Sequence, residues 1–152
     1  MTVCFTGHRK IEPEQMLLLP QQLDSVLESL IAQGATDFRA GGALGFDMLA
    51  ALKVLEKKRK YPHLRLCMIL PCRDQSKSWS ERNQKIYRYV LSQADEVRYL
   101  FDTYTPSCMY ERNRALVEES RICVAYCTEE QGGSAYTLRY AKRMGLEIIN
   151  LS

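Results

Sequence analysis

The segment TDFRAGGALGFDMLAAL, residues 36–52, places a strand-like run, a glycine-rich turn and a helix-like run directly after one another. Its three glycines are Gly41, Gly42 and Gly45, and Asp47 follows at the start of the helical run. Glycine permits positive φ and close approach of the backbone, and the positive end of the helix dipole faces the turn. The segment therefore predicts a strand, loop and helix unit that suits an anion such as phosphate.

The same alternation of strand-like and helix-like runs continues along the whole chain. Residues 64–71 (LRLCMILP) are almost continuously apolar, which is typical of a parallel strand buried on both faces. Strands are predicted at 3–7, 36–40, 64–71, 96–100, 121–127 and 146–151, and helices at about 23–31, 44–58, 79–92, 109–119 and 134–144. Such alternation requires helical crossovers and a parallel sheet. We therefore expect one domain over residues 1–152, a Rossmann-like α/β fold with an open, mainly parallel sheet of about six strands and helices on both faces.

Composition limits the classes of function. The chain has 152 residues, of which 46% are apolar, and its net charge of +3 is too small to argue for nucleic-acid binding by itself. Its apolar runs fall short of the roughly 20 residues that span a membrane, and its first residues lead into a strand rather than a signal sequence. We therefore expect a cytoplasmic protein that does not bind membranes.

The six cysteines lie mostly inside strand-like runs, which favours reduced and buried structural thiols. A pair brought together by the fold is the alternative. So is a redox-sensitive thiol at Cys72 or Cys108.

Several loops rich in glycine or charge follow predicted strands, so they meet at the carboxyl edge of the sheet, where ligands of such folds bind. The expected ligand-binding residues are Gly7, His8, Arg9, Gly41, Gly42, Gly45, Asp47, Gln75, Trp79, Arg112, Asn113, Gly132, Gly133, Ser134 and Thr137. Two anion-binding loops, GGALG and GGSAYT, together with an arginine suit a nucleotide or a sugar phosphate. Neither loop matches the dinucleotide fingerprint or the P-loop, and GGALG alone also fits a tight turn.

Four of these side chains fit either a structural role or a ligand-binding role. Asp47 either stabilises a helix dipole or accepts hydrogen bonds from ribose hydroxyls. Arg112 either belongs to a solvated first turn or clamps a phosphate with two hydrogen bonds. Trp79 either anchors the core or stacks on a base, and His8 either contacts phosphate or makes a structural hydrogen bond.

The chain resembles the YpsA-like family of the SLOG superfamily. The resemblance rests on TGHR at 6–9, GGALGFD at 41–47, Leu70, Pro71, Gln75 and Trp79, ERN at 111–113 and GGSAYT at 132–137. It implies a Rossmann-like domain that binds a nucleotide or an ADP-ribose-like ligand across the two glycine loops, as a sensor or regulatory module. It implies no metal and no further cofactor, and related proteins often form homo-oligomers through helices that flank the sheet.

Two related families supply alternatives. Lonely-guy phosphoribohydrolases cleave the N-glycosidic bond of nucleoside monophosphates, and Arg112 matches their arginine. Residues 138–140, however, read Leu-Arg-Tyr where those enzymes carry a glutamate. A hydrolase would then depend on Asp47, Glu81 or Glu111, so the catalytic candidates are Asp47, Glu111 and Arg112.

The second alternative is single-stranded DNA binding, because residues 41–47 and 112–114 also resemble DNA-processing protein A. Such binding uses a basic surface with aromatic stacking platforms. The tyrosines available for stacking are Tyr87, Tyr89, Tyr99, Tyr104 and Tyr110. The nearly neutral charge argues against extensive contact with phosphates.

Overall fold

The protein forms a six-stranded sheet with helices on both faces, as seen in a computed structural model that describes residues 1–152. The strands are β1 (Thr2–Gly7), β2 (Asp37–Ala40), β3 (Arg65–Cys72), β4 (Glu96–Phe101), β5 (Ile122–Tyr126) and β6 (Glu147–Asn150). The helices are α1 (Pro13–Ala32), α2 (Phe46–Lys60), α3 (Glu81–Gln93), α4 (Cys108–Val117) and α5 (Gly133–Arg143). The predicted Rossmann-like α/β fold is confirmed.

The strand order β4-β3-β2-β1-β5-β6 places β1 beside both β2 and β5. Every strand pair is parallel, so the sheet is wholly rather than mainly parallel. Chain order reverses at β1, because later strands add first on one side of it and then on the other. The carboxyl ends of β1, β2 and β5 therefore lie side by side, and this is where such sheets bind ligands.

Successive side chains of each strand point to opposite faces of the sheet and pack into two separate cores. Val3 and Phe5 belong to the larger core, which is built with α1, α2 and α3. Cys4 points the other way into a smaller core built with α4 and α5, as does Ile69 of β3. This two-sided burial explains the apolar run of β3, whose residues from Met68 onward are all buried.

Helix α1 begins about ten residues earlier than the apolar pattern indicated. Pro13 occupies the start of the helix, where a missing N–H is harmless, and the helix continues through Pro20. A stripe of four leucines explains why the helix persists across that proline, since it packs into the larger core. These are Leu19, Leu23, Leu27 and Leu30.

Helix α2 packs against the sheet with its small residues rather than with its leucines. Ala50, Ala51 and Val54 form the buried face, whereas the leucines at 49, 52 and 55 are only partly buried. Small residues bring α2 close to the sheet, so the larger side chains lie at the margin. At the end of α2, Lys57 and Lys60 pair with acids of α1, and Lys58 pairs with Asp95 just before β4, at N–O distances of 2.5–2.8 Å. The three lysines of this helix end are thus paired with acids rather than forming a free cationic patch.

All six cysteines are free thiols. Cys4 and Cys123 face each other across the β1–β5 register, and Cys72 at the end of β3 lies near Cys108 at the start of α4. Burial raises the pKa of Cys72 to about 11, which disfavours the reactive thiolate. None of the five helices is both long and apolar enough to cross a membrane.

Candidate functional site

A cleft of about 320 Å³ opens at the carboxyl edge of the sheet. It receives residues from the exits of β1, β2 and β5 and from the start of α4. Its lining comprises Thr6, Gly7, His8, Arg9, Ala43, Asp47, Met109, Arg112, Asn113, Glu129, Gln131, Gly132, Gly133 and Ser134. The fold therefore brings parts of both glycine-rich loops to one place, although about 85 residues of chain separate them.

Arg112 is the charged residue at the base of this cleft and is only 4% exposed. Its Nη1 donates a hydrogen bond to the Gly41 carbonyl at 2.5 Å, and its Nε donates to the Asn113 side chain at 2.8 Å. No carboxylate oxygen lies within 4 Å of its guanidinium. Burial lowers its pKa and Asp47 opposes that shift, but an arginine stays charged near neutral pH. The cleft thus contains a buried positive charge without a direct counterion.

Asp47 is the second buried charged group in the cleft and is 5% exposed. One oxygen accepts a long hydrogen bond of 3.4 Å from the Ala43 N–H. Burial raises the pKa of Asp47 to about 6, against the opposing effects of Arg112, the Ala43 N–H and Arg9. Asp47 is therefore mostly ionised near pH 7, with acceptor capacity that the protein leaves largely unused.

His8 makes a structural hydrogen bond between two elements of the site. Its Nε2 accepts from the backbone N–H of Thr128 at 2.8 Å, which ties the exit of β5 to the exit of β1. Because Nε2 accepts, the other ring nitrogen carries the proton in the neutral ring. Arg9 lies exposed at the mouth of the cleft. Gly7 lies against Phe46, whose ring a β-carbon at position 7 would approach to 2.5 Å.

The three glycines of the first loop do not line the cleft. A β-carbon on Gly41 would lie 2.8 Å from the Arg112 side chain, and one on Gly42 would lie 2.5 Å from Leu70. At Gly45, where φ is +80°, a β-carbon would lie 2.2 Å from the Arg9 carbonyl oxygen. Each glycine thus permits close packing within the protein, so ligand contact by these three residues remains a prediction with a competing explanation.

The second glycine loop is open, unlike the first. No atom lies within 4 Å of a β-carbon built on Gly132, and the nearest atom at Gly133 is the Asn113 side-chain nitrogen at 3.8 Å. Gly133 begins α5, and Ser134 lies beside it in the cleft lining. Thr137 is buried outside the lining, where its hydroxyl donates to the Gly133 carbonyl at 2.8 Å. Thr137 thus stabilises the second glycine loop through this hydrogen bond.

Gln75 and Trp79 lie outside the main cleft and line a small adjoining cavity of about 40 Å³, which we call the annex. Its lining comprises Arg9, Ala43, Leu44, Gln75, Trp79 and Met109. Gln75 Nε2 donates to the Gly42 carbonyl at 2.9 Å, so this side chain supports the first glycine loop. Trp79 is half-buried, and its ring meets the buried Tyr87 edge to face at a centroid distance of 5.1 Å. The core contact of Trp79 is therefore observed, and its stacking on a base stays a prediction.

Of the acidic candidates for catalysis, only Asp47 lines the cleft. Glu111 is exposed on α4, and Glu81 is exposed at the start of α3; neither borders the cleft. Glu129 does line it and is absent from the residues expected from sequence. Its position in the loop after β5, three residues before Gly132, is the signal that would have included it. No group of three or more His, Cys, Asp or Glu side chains is arranged to hold a metal ion.

Comparison with known proteins places the chain in a family. The family model described as the YspA SLOG family, YpsA, matches residues 3–147. An uncharacterized SPbeta prophage-derived protein of Bacillus subtilis, YoqJ, is 32% identical over 141 residues, which cover 84% of this chain and 82% of that protein. A UPF0398 protein of Brevibacillus brevis is 33% identical over 105 residues, covering 67% of this chain and only 56% of that protein.

Two solved structures share the fold. DNA processing protein A from Helicobacter pylori, studied for its single-stranded DNA binding mode, superposes with a TM-score of 0.72 at 20% identity. The match covers 99% of this chain and 64% of that one. DNA processing protein A from Streptococcus pneumoniae gives a TM-score of 0.71 at 15% identity, covering 98% and 49%. The chain thus spans about half to two thirds of these larger proteins, and it belongs to the YpsA family of SLOG proteins, as its motifs indicated.

Proposed function

We propose that this protein binds a nucleotide-derived ligand, either a nucleotide or an ADP-ribose-like molecule, in the cleft at the carboxyl edge, and acts as a sensor or regulatory module. The observation that carries this proposal is Arg112. A guanidinium that is 4% exposed, borders a cleft and has no carboxylate within 4 Å favours an anion from outside the protein.

The phosphate is assigned to the side of the cleft where Arg112 faces the second glycine loop. Gly133 and Ser134 begin α5, whose free N–H groups and positive dipole end favour negative charge. Gly132 and Gly133 are unobstructed, so a phosphate can approach the backbone there. The anion site is thus formed by one loop and one buried arginine, and the first loop supports it through the Gly41 carbonyl that holds Arg112.

The ribose is assigned to Asp47. Its carboxylate is mostly ionised near pH 7 and has only the Ala43 N–H as a hydrogen-bond donor. Repulsion keeps such a group from a phosphate, whereas sugar hydroxyls supply the donors that it lacks. This assignment places the sugar between the phosphate site and the annex.

The two alternatives have weaker support. A phosphoribohydrolase would have Asp47 and Glu129 as the acids of its cleft, since residues 138–140 lack the glutamate of those enzymes. For single-stranded DNA binding, the type of activity studied in the Helicobacter pylori neighbour, exposed stacking platforms are needed. Of the five tyrosines considered, Tyr87 is buried, and the exposed ones lie on separate elements, at 89, 104 and 110.

Titration calorimetry of the whole chain with ribose 5-phosphate, AMP and ADP-ribose tests the proposal. We expect at least one of them to bind, and Arg112→Met to weaken it at least tenfold, or about 1.4 kcal/mol, because the buried cation is lost. Arg98→Met is the matched control, since Arg98 lies on β4 away from the cleft and pairs with Glu96. Absence of binding for all three probes contradicts the proposal. Release of free adenine from AMP, followed by chromatography, would instead support the hydrolase.

A further inference from the structure

We infer that the annex is a nucleobase site and that Gln75 makes it selective for bases carrying an exocyclic amine. The inference rests on the proposed function and specifies which nucleotides the same site accepts. It also assigns a direction to the ligand: phosphate toward α5, ribose over Asp47 and base toward Trp79.

The annex adjoins the cleft but differs from it in polarity. Arg9, Ala43 and Met109 line both spaces, so a ligand in the cleft borders the annex directly. Four of the six annex residues are hydrophobic, compared with two of the fourteen residues of the cleft. A sugar phosphate suits the polar space and a flat, largely apolar ring suits the other, which is the division that a nucleotide presents.

Trp79 supplies an aromatic surface in a fixed orientation. Its indole meets Tyr87 at an interplanar angle of 78°, so Tyr87 supports the indole by edge-to-face packing. Tyr87 is itself buried and belongs to the larger core, which makes it a rigid support. A base that enters the annex can therefore stack on an indole that is supported by the core.

Gln75 supplies the selectivity. The Gly42 carbonyl can only accept a hydrogen bond, so the nitrogen of the Gln75 amide must face it, at 2.9 Å. The orientation of the amide is thereby fixed, and its Oε1 is buried without any hydrogen-bond partner. An exocyclic amine of a base supplies the missing donor, whereas a carbonyl at the same ring position sets oxygen against oxygen.

The loop that carries Gln75 and Trp79 allows a base to enter. At about 40 Å³ the annex is smaller than a nucleobase, so the ring needs an outward shift of one wall. Residues 73–79 contain only turns and a bend, and four of the seven are exposed. Such a segment moves more readily than a strand or helix, which allows one wall of the annex to shift.

The first experiment asks whether a base adds affinity. Calorimetry should show that AMP, GMP or CMP binds at least tenfold tighter than ribose 5-phosphate. Trp79→Ala should remove this gain relative to the variant's own affinity for ribose 5-phosphate, whereas Tyr89→Ala, at an exposed aromatic on α3, should keep it. Equal affinity of the wild-type protein for ribose 5-phosphate and all three nucleotides overturns the annex assignment, as does an unchanged gain in Trp79→Ala.

The second experiment tests the amine. We expect at least a tenfold preference for the amine-bearing member in at least one of the pairs AMP and IMP, GMP and IMP, or CMP and UMP. Gln75→Met should reduce that preference to about onefold. Gln84→Met is the matched control, because Gln84 also donates to the backbone of this loop, at Ser76, but lies outside the annex. No preference in any pair, or a preference that survives in Gln75→Met, overturns the selectivity.

Different results would overturn the annex assignment and the proposed nucleotide binding. Binding of ribose 5-phosphate without any gain from a base overturns only the annex assignment. Failure of every probe to bind overturns the proposed function and the annex with it. Unchanged far-ultraviolet circular dichroism shows that each variant folds, and each gain or preference is taken relative to that variant's own affinity for ribose 5-phosphate.

Discussion

Asp47 and Arg112 are two buried charges of opposite sign that share a cleft without forming an ion pair. A direct pair would neutralise the arginine and leave little attraction for an anion. The Gly41 carbonyl and Asn113 instead hold the guanidinium by hydrogen bonds, and the Ala43 N–H contacts the carboxylate. Each charge is therefore positioned while remaining available to a ligand.

The raised pKa of Asp47 predicts how stability depends on pH. The folded protein holds this proton more tightly than the unfolded chain, because the pKa rises from 3.8 to about 6 on folding. Ionisation of Asp47 therefore lowers the free energy of unfolding as pH rises through this window, and the loss is complete above pH 6. The shift corresponds to on the order of 3 kcal/mol. Asp47→Asn, which cannot ionise, should escape this loss.

Urea unfolding of the wild type and of Asp47→Asn between pH 4 and pH 7 measures the effect. The difference in free energy of unfolding should grow with pH in favour of the variant, by roughly 2–3 kcal/mol. Other acids contribute equally to both proteins and so cancel in the difference. A difference that is constant across this range would mean that Asp47 is not desolvated in the folded protein.

The sequence predicted which residues line the site better than it predicted their contacts. Asp47 and Arg112 were predictable because each follows a recognisable loop at a helix start, and both line the cleft. Glu129 was not predicted, because the recognisable pattern of its loop lies in the glycines that follow it. The environment of Gly41 was not predictable, because the side chain against it, Arg112, lies 71 residues away in the sequence.

At the scale of elements, the first glycine loop is a packing junction between β1, β2 and α2. The Phe46 N–H donates to the His8 carbonyl at 3.0 Å, and Gly45 lies directly against the Arg9 carbonyl. The exit of β1 therefore rests on the start of α2. This contact fixes the position of Asp47, the second residue of that helix.

Replacing Gly45 by alanine tests the junction. The substitution combines positive φ with a backbone clash at 2.2 Å, so we expect Gly45→Ala to lower the free energy of unfolding by at least about 3 kcal/mol. Gly34→Ala is the control, because Gly34 also has positive φ but has nothing within 4 Å. It should cost about 1–2 kcal/mol. Chemical denaturation compares the two, and equal losses would show that the Arg9 carbonyl moves aside freely.

Elements with a strong local pattern were predicted well. β3 was recognisable from its apolar run, and the start of α3 carries a serine cap, since Ser80 accepts from the Asn83 N–H. The start of α1 was not recognisable, because residues 13–18 are largely exposed and carry no apolar periodicity. The buried face of α2 was also not predictable, because a hydrophobic pattern emphasises leucines over the alanines that pack closely against the sheet.

At the scale of the whole molecule, the strand order brings together loops that are far apart in the sequence. The loops after β2 and β5 lead into helices on opposite faces of the sheet, and the two loops lie close together because β1 separates their strands by only one position. The Rossmann-like class was predictable from alternation alone. The strand order was not, since alternation is compatible with several orders of parallel strands.

Charge at this scale predicts weak binding of oligonucleotides. The net charge is +3, and the lysines at the end of α2 are paired with acids. Anisotropy of a labelled thymidine oligonucleotide should give a slope of log affinity against log salt no steeper than about −2, or roughly three phosphate contacts. A steeper slope that flattens in Arg114→Met, whose guanidinium lies over the Tyr140 ring on α5, would support the DNA-binding alternative instead.

The internal packing of Gly41, Gly42 and Gly45 has a consequence for how distant homologues are sorted. If GGALGFD is required by chain geometry, a homology search weighted toward it will gather proteins that share a scaffold and will say little about their metabolites. The residues that distinguish one ligand from another would then lie elsewhere, at loop positions such as 75, 79 and 129. Grouping family members by those positions should separate subfamilies with different small molecules more sharply than grouping them by the glycine motif.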